Sequence, residues 1–276
     1  MILPNFLIIG AQKCGTTWLG EQVGRHPDVY MAPGEIHYFD KAHRWSRGPG
    51  WYAGHFTSGA GHRRIGEKTP DYLWANGQGT EGHLPQVHQN VHSLLPNAKL
   101  ITVLRNPVDR VRSALLHLIR TRRLPPDSSL DELALHPTGE VRAHGVLEKG
   151  YYLRQITAYL ELYPRDHFLT LIYEEDVVAR PDLAMVKICR FLDVDPGRLP
   201  PIDTTRKNES LHSRLRLAVN YRLPAIRYAS QVLDYLAPPY RPVLAPATRA
   251  QLARQYAREN AALFQLLDRP LPSSWE

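Results

Sequence analysis

The sequence predicts an α/β domain of three layers, with a central, mainly parallel sheet flanked by helices. Two observations carry this. Near-continuous apolar runs recur at Phe6–Ile9, Leu100–Leu104 and Phe168–Tyr173, without the strict alternation of a strand that has one wet face, as strands buried on both faces require. Stretches with helical spacing follow these runs, and strands alternating with helices imply right-handed crossovers onto a parallel sheet. The 276 residues are 43% hydrophobic and 22% charged, an ordinary globular balance with enough apolar surface for one sizeable core.

The first run ends in Gly10. After Gly15, Trp18, Leu19, Gln22 and Val23 have i, i+4 spacing, and this helix should stop near His26-Pro27. Leu100–Leu104 is the next strand, and Asn106-Pro107 supplies an N-cap and a first-turn proline for a helix to about Arg122. Tyr152, Ile156, Tyr159, Leu160 and Tyr163 form a helical stripe stopped by Pro164. A helix from about Pro181 to Leu192 follows the third strand. Residues 40–95, rich in Gly, His, Trp and Tyr, read as elaborated loops with short elements. Residues 196–245, rich in proline and arginine, read as a cover or accessory helical region. Neither marks a domain boundary, so a single domain over 1–276 is expected.

The formal charge of +7 favours anionic ligands without choosing among them. The two cysteines, Cys14 and Cys189, suggest neither a disulfide framework nor a zinc site. No basic region or cleavage site accompanies the Phe6–Ile9 run, and no apolar stretch is long enough to span a bilayer. A reducing cytoplasm is the expected compartment.

The segment Ile9-Gly10-Ala11-Gln12-Lys13-Cys14-Gly15-Thr16-Thr17-Trp18 carries the chemistry. A glycine loop between a buried strand and a helix gathers backbone N–H groups where the helix dipole also favours an anion. Thr16 and Thr17 add hydroxyl donors, and Lys13 adds a full charge. The triphosphate-binding loop Gly-x-x-x-x-Gly-Lys-Ser/Thr shares the glycine spacing, but here Thr16 takes the lysine position and the lysine has moved to Lys13. The second strand ends in Arg105, with no aspartate to hold Mg²⁺. Both changes argue against a metal-assisted kinase and suit sulfuryl transfer, where a sulfate ester of single charge needs less neutralisation.

The loop resembles that of the nucleotide-dependent sulfotransferases, especially the heparan sulfate N- and O-sulfotransferase branch and its bacterial relatives. The resemblance implies a P-loop-like fold and 3′-phosphoadenosine 5′-phosphosulfate as co-substrate, with no metal required. It implies Lys13, Cys14, Gly15, Thr16, Thr17 and Trp18 as the 5′-phosphosulfate site, with Cys14 standing where the family often has glycine or alanine. A thiol there leaves the loop open to oxidation. Arg105-Asn106-Pro107 followed by Ser113 is similar to the family's 3′-phosphate element. Arg105 at a strand end offers a bidentate fork, and Ser113, two turns into the helix, tilts back towards it. Arg110 and Arg112 read as surface or structural charges, and Arg120, Arg122 and Arg123 as a solvated helix end or as charges facing an anionic acceptor. Arg206 and Lys207 fall where the family has a basic loop over the nucleotide, although its glycine is missing here.

Pro33-Gly34-Glu35-Ile36-His37-Tyr38-Phe39-Asp40 is similar to the family segment whose glutamate takes the acceptor proton. A hydroxyl needs such a base within hydrogen-bond distance. Glu35 is the first candidate and His37 the rival, since imidazole titrates near neutrality. Were the segment extended, the two would point to one side. In Glu67-Lys68-Thr69-Pro70-Asp71-Tyr72, the family pattern gives Lys68 a catalytic role on the sulfuryl group or acceptor, with Glu67 as its partner. Trp45, Trp51, Tyr52 and Trp74 are either acceptor-pocket or packing residues. The C-terminal Tyr256, Asn260, Leu263, Leu267 and Trp275 extend the resemblance over most of the chain. The expected acceptor is a hydroxyl, less readily an amine, of a small molecule, lipid or saccharide. No nucleic-acid partner is expected, and the oligomeric state is unreadable. A small-molecule kinase and a non-catalytic nucleotide or acidic-glycan binding module remain the alternatives.

Overall fold

The structure is a computed structural model that describes residues 1–77, 82–203, 212–223, 225 and 229–275. Its five strands are β1 (Phe6–Gly10), β2 (Val29–Met31), β3 (Arg64–Lys68), β4 (Lys99–Leu104) and β5 (Phe168–Ile172). They form one sheet in the order β2-β3-β1-β4-β5, and every pairing is parallel. β1 is buried along its whole length, as an unalternating apolar strand between two neighbours must be. The chain runs from β1 to one edge, returns through β3, and crosses to β4 on the other side. The carboxyl end of β1 is therefore a topological switch point, where open α/β sheets bind their ligands.

Three expected strands are present, and the third is one residue shorter because Tyr173–Val178 winds into a π-helical turn. Two strands were not visible in the sequence. β2 has three residues, and β3 (Arg-Ile-Gly-Glu-Lys) carries charge at both ends, so neither reads as an apolar run. The region 40–95 thus contains a central strand, together with helices at Ala42–Trp45, Gly48–Gly54 and Val87–Leu94.

One apolar core lies around the sheet. A second joins the helix Pro107–Arg120 to Leu130–Leu135 and the long helix Pro246–Leu266, through Val111, Leu115, Leu118, Leu252 and Tyr256. Arg110 lies within this second region, 0% exposed, with its guanidinium donating to the Val146 carbonyl. Of its two readings, surface or structural charge, the structure supports the second: the helix face it shares with Val111 and Ala114 turns inward. Asn106 caps this helix as expected, its Oδ1 accepting the amides of Val108 (2.9 Å) and Asp109 (3.2 Å).

Candidate active site

β1 runs directly into the loop. The Ala11 amide donates to the Val103 carbonyl at 2.8 Å, tying the loop's first residue to β4. Gly15 precedes the helix Thr16–Val23 with φ 82°. A Cβ at that position would stand 2.8 Å from the Tyr173 ring, so both backbone and space require glycine. Lys13 also has positive φ, at 69°. Burial, and then the neighbouring Arg120 guanidinium, push its ammonium down to about 8. Arg120 is therefore not a solvated helix end, because it is half-buried and close enough to Lys13 to disfavour a second charge.

The loop residues divide by role. Thr16 is buried and Thr17 half-buried at the helix start. Trp18 donates its Nε1–H to the Asp203 carbonyl (2.8 Å), and Gln22 Oε1 accepts the Asp203 amide (3.1 Å). Cys14 is fully buried, with Sγ 3.8 Å from the Tyr152 hydroxyl oxygen. Burial pushes its thiol up to about 11, so it holds its proton at neutral pH and is a poor target for oxidants. The loop is not open to oxidation through Cys14.

Arg105 ends β4 beside this loop. Its Nη1 reaches the Lys13 carbonyl at 3.5 Å, and its guanidinium carbon lies 5.1 Å from the centre of the Tyr173 ring. Among the described residues its Nε is buried without a protein partner, leaving a donor for an anion. Ser113 is half-buried two turns along the following helix. Arg206 and Lys207 lie outside the described residues.

The Glu35 segment approaches from the opposite side. It is not extended: Gly34 and His37 both have positive φ, at 76° and 51°. Yet the turn brings the two proposed bases together. Glu35 Oε1 accepts from Lys68 Nζ at 2.6 Å, and Glu35 Oε2 lies 3.4 Å from His37 Nε2. His37 Nδ1 lies 2.8 Å from Asp40 Oδ2. Lys68 Nζ also lies 3.5 Å from Thr17 Oγ1, so one lysine spans carboxylate and loop. Burial works against charge on both Glu35 and His37, but their mutual contact and their partners overcome it. The contacts with His37 and Lys68 hold Glu35 below its ordinary value. Those with Asp40 and Glu35 raise His37 to about 9. At neutral pH His37 is an imidazolium beside a carboxylate.

Behind this turn lies a buried network. Glu67 does not pair with Lys68. Alternate side chains of a strand face opposite ways, and Glu67 turns into the core. There its Oε1 accepts from the hydroxyls of Tyr52 (2.6 Å) and Tyr72 (3.2 Å), and its Oε2 accepts from Thr69 (2.9 Å). Thr69 Oγ1 in turn accepts the Ile36 amide at 3.1 Å. Burial raises Glu67 to about 7 against the pull of these hydrogen bonds. Tyr52 is a packing residue, 0% exposed and stacked on Tyr38 at 4.6 Å. Trp74 is also buried, with Lys149 Nζ 4.7 Å from its ring centre.

Two residues that contact the candidate site were not singled out in the sequence. Asp71 Oδ1 accepts from Gln12 of the loop (3.2 Å) and from Lys149 (2.9 Å). Against the effect of burial, Lys149 and His37 hold its carboxyl well below the usual range. Asp40 orients His37. Its place three residues on was the available signal, but Asp71 meets the loop only through the fold. The ligand atoms of His37, Asp40 and Asp71 lie within 4.8 Å of one another, and all three residues are engaged by protein partners.

A glycine loop at the switch point of a parallel sheet, with an arginine on the adjoining strand end, puts the chain in the P-loop-like class of nucleotide-binding folds. Within that class it belongs to the sulfotransferase domain family, whose pattern matches residues 3–216. Heparan sulfate glucosamine 3-O-sulfotransferase 6 of Mus musculus is 32% identical over 192 residues, 68% of this chain and 52% of that protein. The bifunctional heparan sulfate N-deacetylase/N-sulfotransferase 2 of Homo sapiens is 30% identical over 216 residues, 70% of this chain and 22% of that protein. The chain thus spans about half the length of the first of these relatives, and less of the second. In fold it is similar to the crystal structure of a sulfotransferase from Alicyclobacillus acidocaldarius, with TM-score 0.73, 24% identity, and 100% and 99% of the two chains covered. Among the described residues no helix is long and apolar enough to cross a membrane.

Proposed function

We propose that this chain transfers a sulfuryl group from 3′-phosphoadenosine 5′-phosphosulfate to an acceptor hydroxyl, with Glu35 as the base. The observation that carries this reading is Lys68, whose ammonium lies 2.6 Å from Glu35 and 3.5 Å from Thr17. A base and an anion-binding loop joined by one cation hold acceptor and donor at a common point, which supplies the orientation an in-line displacement needs.

In the step proposed, the acceptor oxygen forms a bond to sulfur as the bridging bond from sulfur to the 5′-phosphate breaks. The acceptor proton passes to Glu35, and 3′,5′-adenosine bisphosphate leaves. Lys13, Lys68 and the loop amides stabilise the charge that develops on the leaving phosphate. Arg105, with its buried unpartnered Nε, takes the 3′-phosphate together with Ser113. His37 serves as the charged partner that Asp40 holds against Glu35, because a group raised to about 9 is already protonated at pH 7. The names of the heparan sulfate relatives favour a saccharide acceptor over the other hydroxyl classes.

The test is transfer of labelled sulfate to a panel of saccharide, phenol and lipid hydroxyls, run in parallel with Mg²⁺-ATP. Transfer by the wild type and its loss in Glu35→Gln, with calorimetric binding of 3′,5′-adenosine bisphosphate retained, is the expected result. Phosphoryl transfer from Mg²⁺-ATP would replace this reading with the kinase one. Nucleotide binding without transfer to any acceptor would favour a binding module.

A further inference from the structure

The described residues expose ten large apolar side chains, and seven of them fall between 215 and 243: Leu215, Tyr221, Leu223, Val232, Tyr235, Leu236 and Val243. Tyr235 is 90% exposed and Leu236 72%. Concentration on one short stretch is what marks a patch, since single exposed apolar residues are normal on any surface. Its described residues are tied together. Ser213 Oγ accepts the Arg216 amide (3.2 Å) and donates to the Leu233 carbonyl (3.1 Å), stapling the helix Arg214–Arg222 to the turn Leu233–Leu236.

Its charge is one-sided. Among the described residues of 212–245, Arg214, Arg216, Arg222 and Arg241 stand against a single acid, Asp234. Asp234 is already taken by Arg216, while Arg214 and Arg222 are exposed. Arginine, tyrosine and leucine exposed along one stretch suit a layer that is apolar inside and anionic at its rim. A second copy of the chain suits it poorly, because a two-fold contact would set the same arginines against one another.

The patch is fixed beside the candidate active site. Arg112, next to Ser113 on the helix that follows Arg105, donates to the Pro242 carbonyl at 2.7 Å.

We infer that the surface formed by the described residues of 213–223 and 229–243 docks on an anionic lipid bilayer, with Tyr235 and Leu236 entering the interface and Arg214 and Arg222 meeting the headgroups. Binding there seats the Pro107–Arg120 helix beside the headgroups.

Co-sedimentation with phosphatidylcholine vesicles containing about one-third phosphatidylglycerol, against pure phosphatidylcholine vesicles, tests this directly. The wild type should partition at least about tenfold more strongly onto the anionic vesicles, and less as salt rises. Tyr235→Ser with Leu236→Ser should lower that partitioning about tenfold, and Arg214→Gln about fivefold. Circular dichroism checks that the variants fold, and the wild-type vesicle comparison stands without them. Equal partitioning onto both vesicles, or folded variants that bind like the wild type, would overturn the inference. So would a dimer in light scattering that the double variant dissolves.

Discussion

The two sides of the cleft are held by different means. On the donor side, the loop from Gly10 to Thr17 is shaped by backbone: a fully buried strand, a Gly15 that only glycine can supply, and an amide tied to β4. On the base side, the turn from Gly34 to Asp40 is shaped by side chains. Lys68, His37 and Asp40 hold Glu35 directly or in relay, and Glu67 holds the turn through Thr69. A backbone cradle presents the same donors whatever the pH. A turn held by titratable groups is set by their charges. The donor side should therefore fail through lost contacts, and the base side through altered protonation.

Lys13→Ala should break the comparison hardest, lowering turnover about a thousandfold while thermal unfolding shows a folded protein. Retained turnover would remove Lys13 from its role. Lys13 also gives the donor side its one pH dependence. An ammonium lowered to about 8 must regain its proton to hold an anion above that value. Titration calorimetry should then show nucleotide affinity flat below pH 8 and falling up to about tenfold per unit above it, with Lys13→Arg flattening the profile.

Glu35→Gln should reduce transfer at least about a hundredfold without weakening the nucleotide. His37→Ala should cost about tenfold, since it removes a positioning charge and leaves the base. Loss of transfer in His37→Ala alone would move the base to His37.

Glu67 sharpens the base side through stability. Its carboxyl is raised from 4.5 to about 7 in the fold, so the folded chain binds the extra proton between those values. This contribution is present in full below pH 4.5 and is lost as pH rises through 7, to the order of 3 kcal/mol. Glu67→Gln carries no titrating group there, so its melting temperature should decline less than that of the wild type between pH 5 and 8. Parallel declines would remove Glu67 as the cause. The smallest effect belongs to Cys14: an alkylating reagent at neutral pH should leave it unmodified in the folded protein, and labelling within minutes would contradict its burial.

What could be read from sequence follows the same division. The donor residues are neighbours in the chain, and their elements announce themselves through apolar runs and an N-cap. β1, β4 and the capped helix lie within a residue or two of their expected bounds. The base side depends on contacts no spacing encodes. Tyr52, Glu67 and Tyr72 meet only after β3 enters the sheet, and β3 looked polar because Lys68 faces the site, Glu67 the core network and Arg64 the Asp193 carboxylate. Arg110 looked like any helical arginine until the second apolar region closed around it. Asp71 joins Gln12 across 59 residues. Arg206 and Lys207 lie outside the described residues.

Recognition of a nucleotide 3′-phosphate through Lys13 and Arg105 can be measured without knowing the acceptor, by titration calorimetry of 3′,5′-adenosine bisphosphate and ADP in metal-free buffer. The bisphosphate should bind roughly 10–100-fold more tightly than ADP, and Arg105→Ala should erase most of that difference. Equal affinities, or preference for ADP once Mg²⁺ is added, would contradict the account.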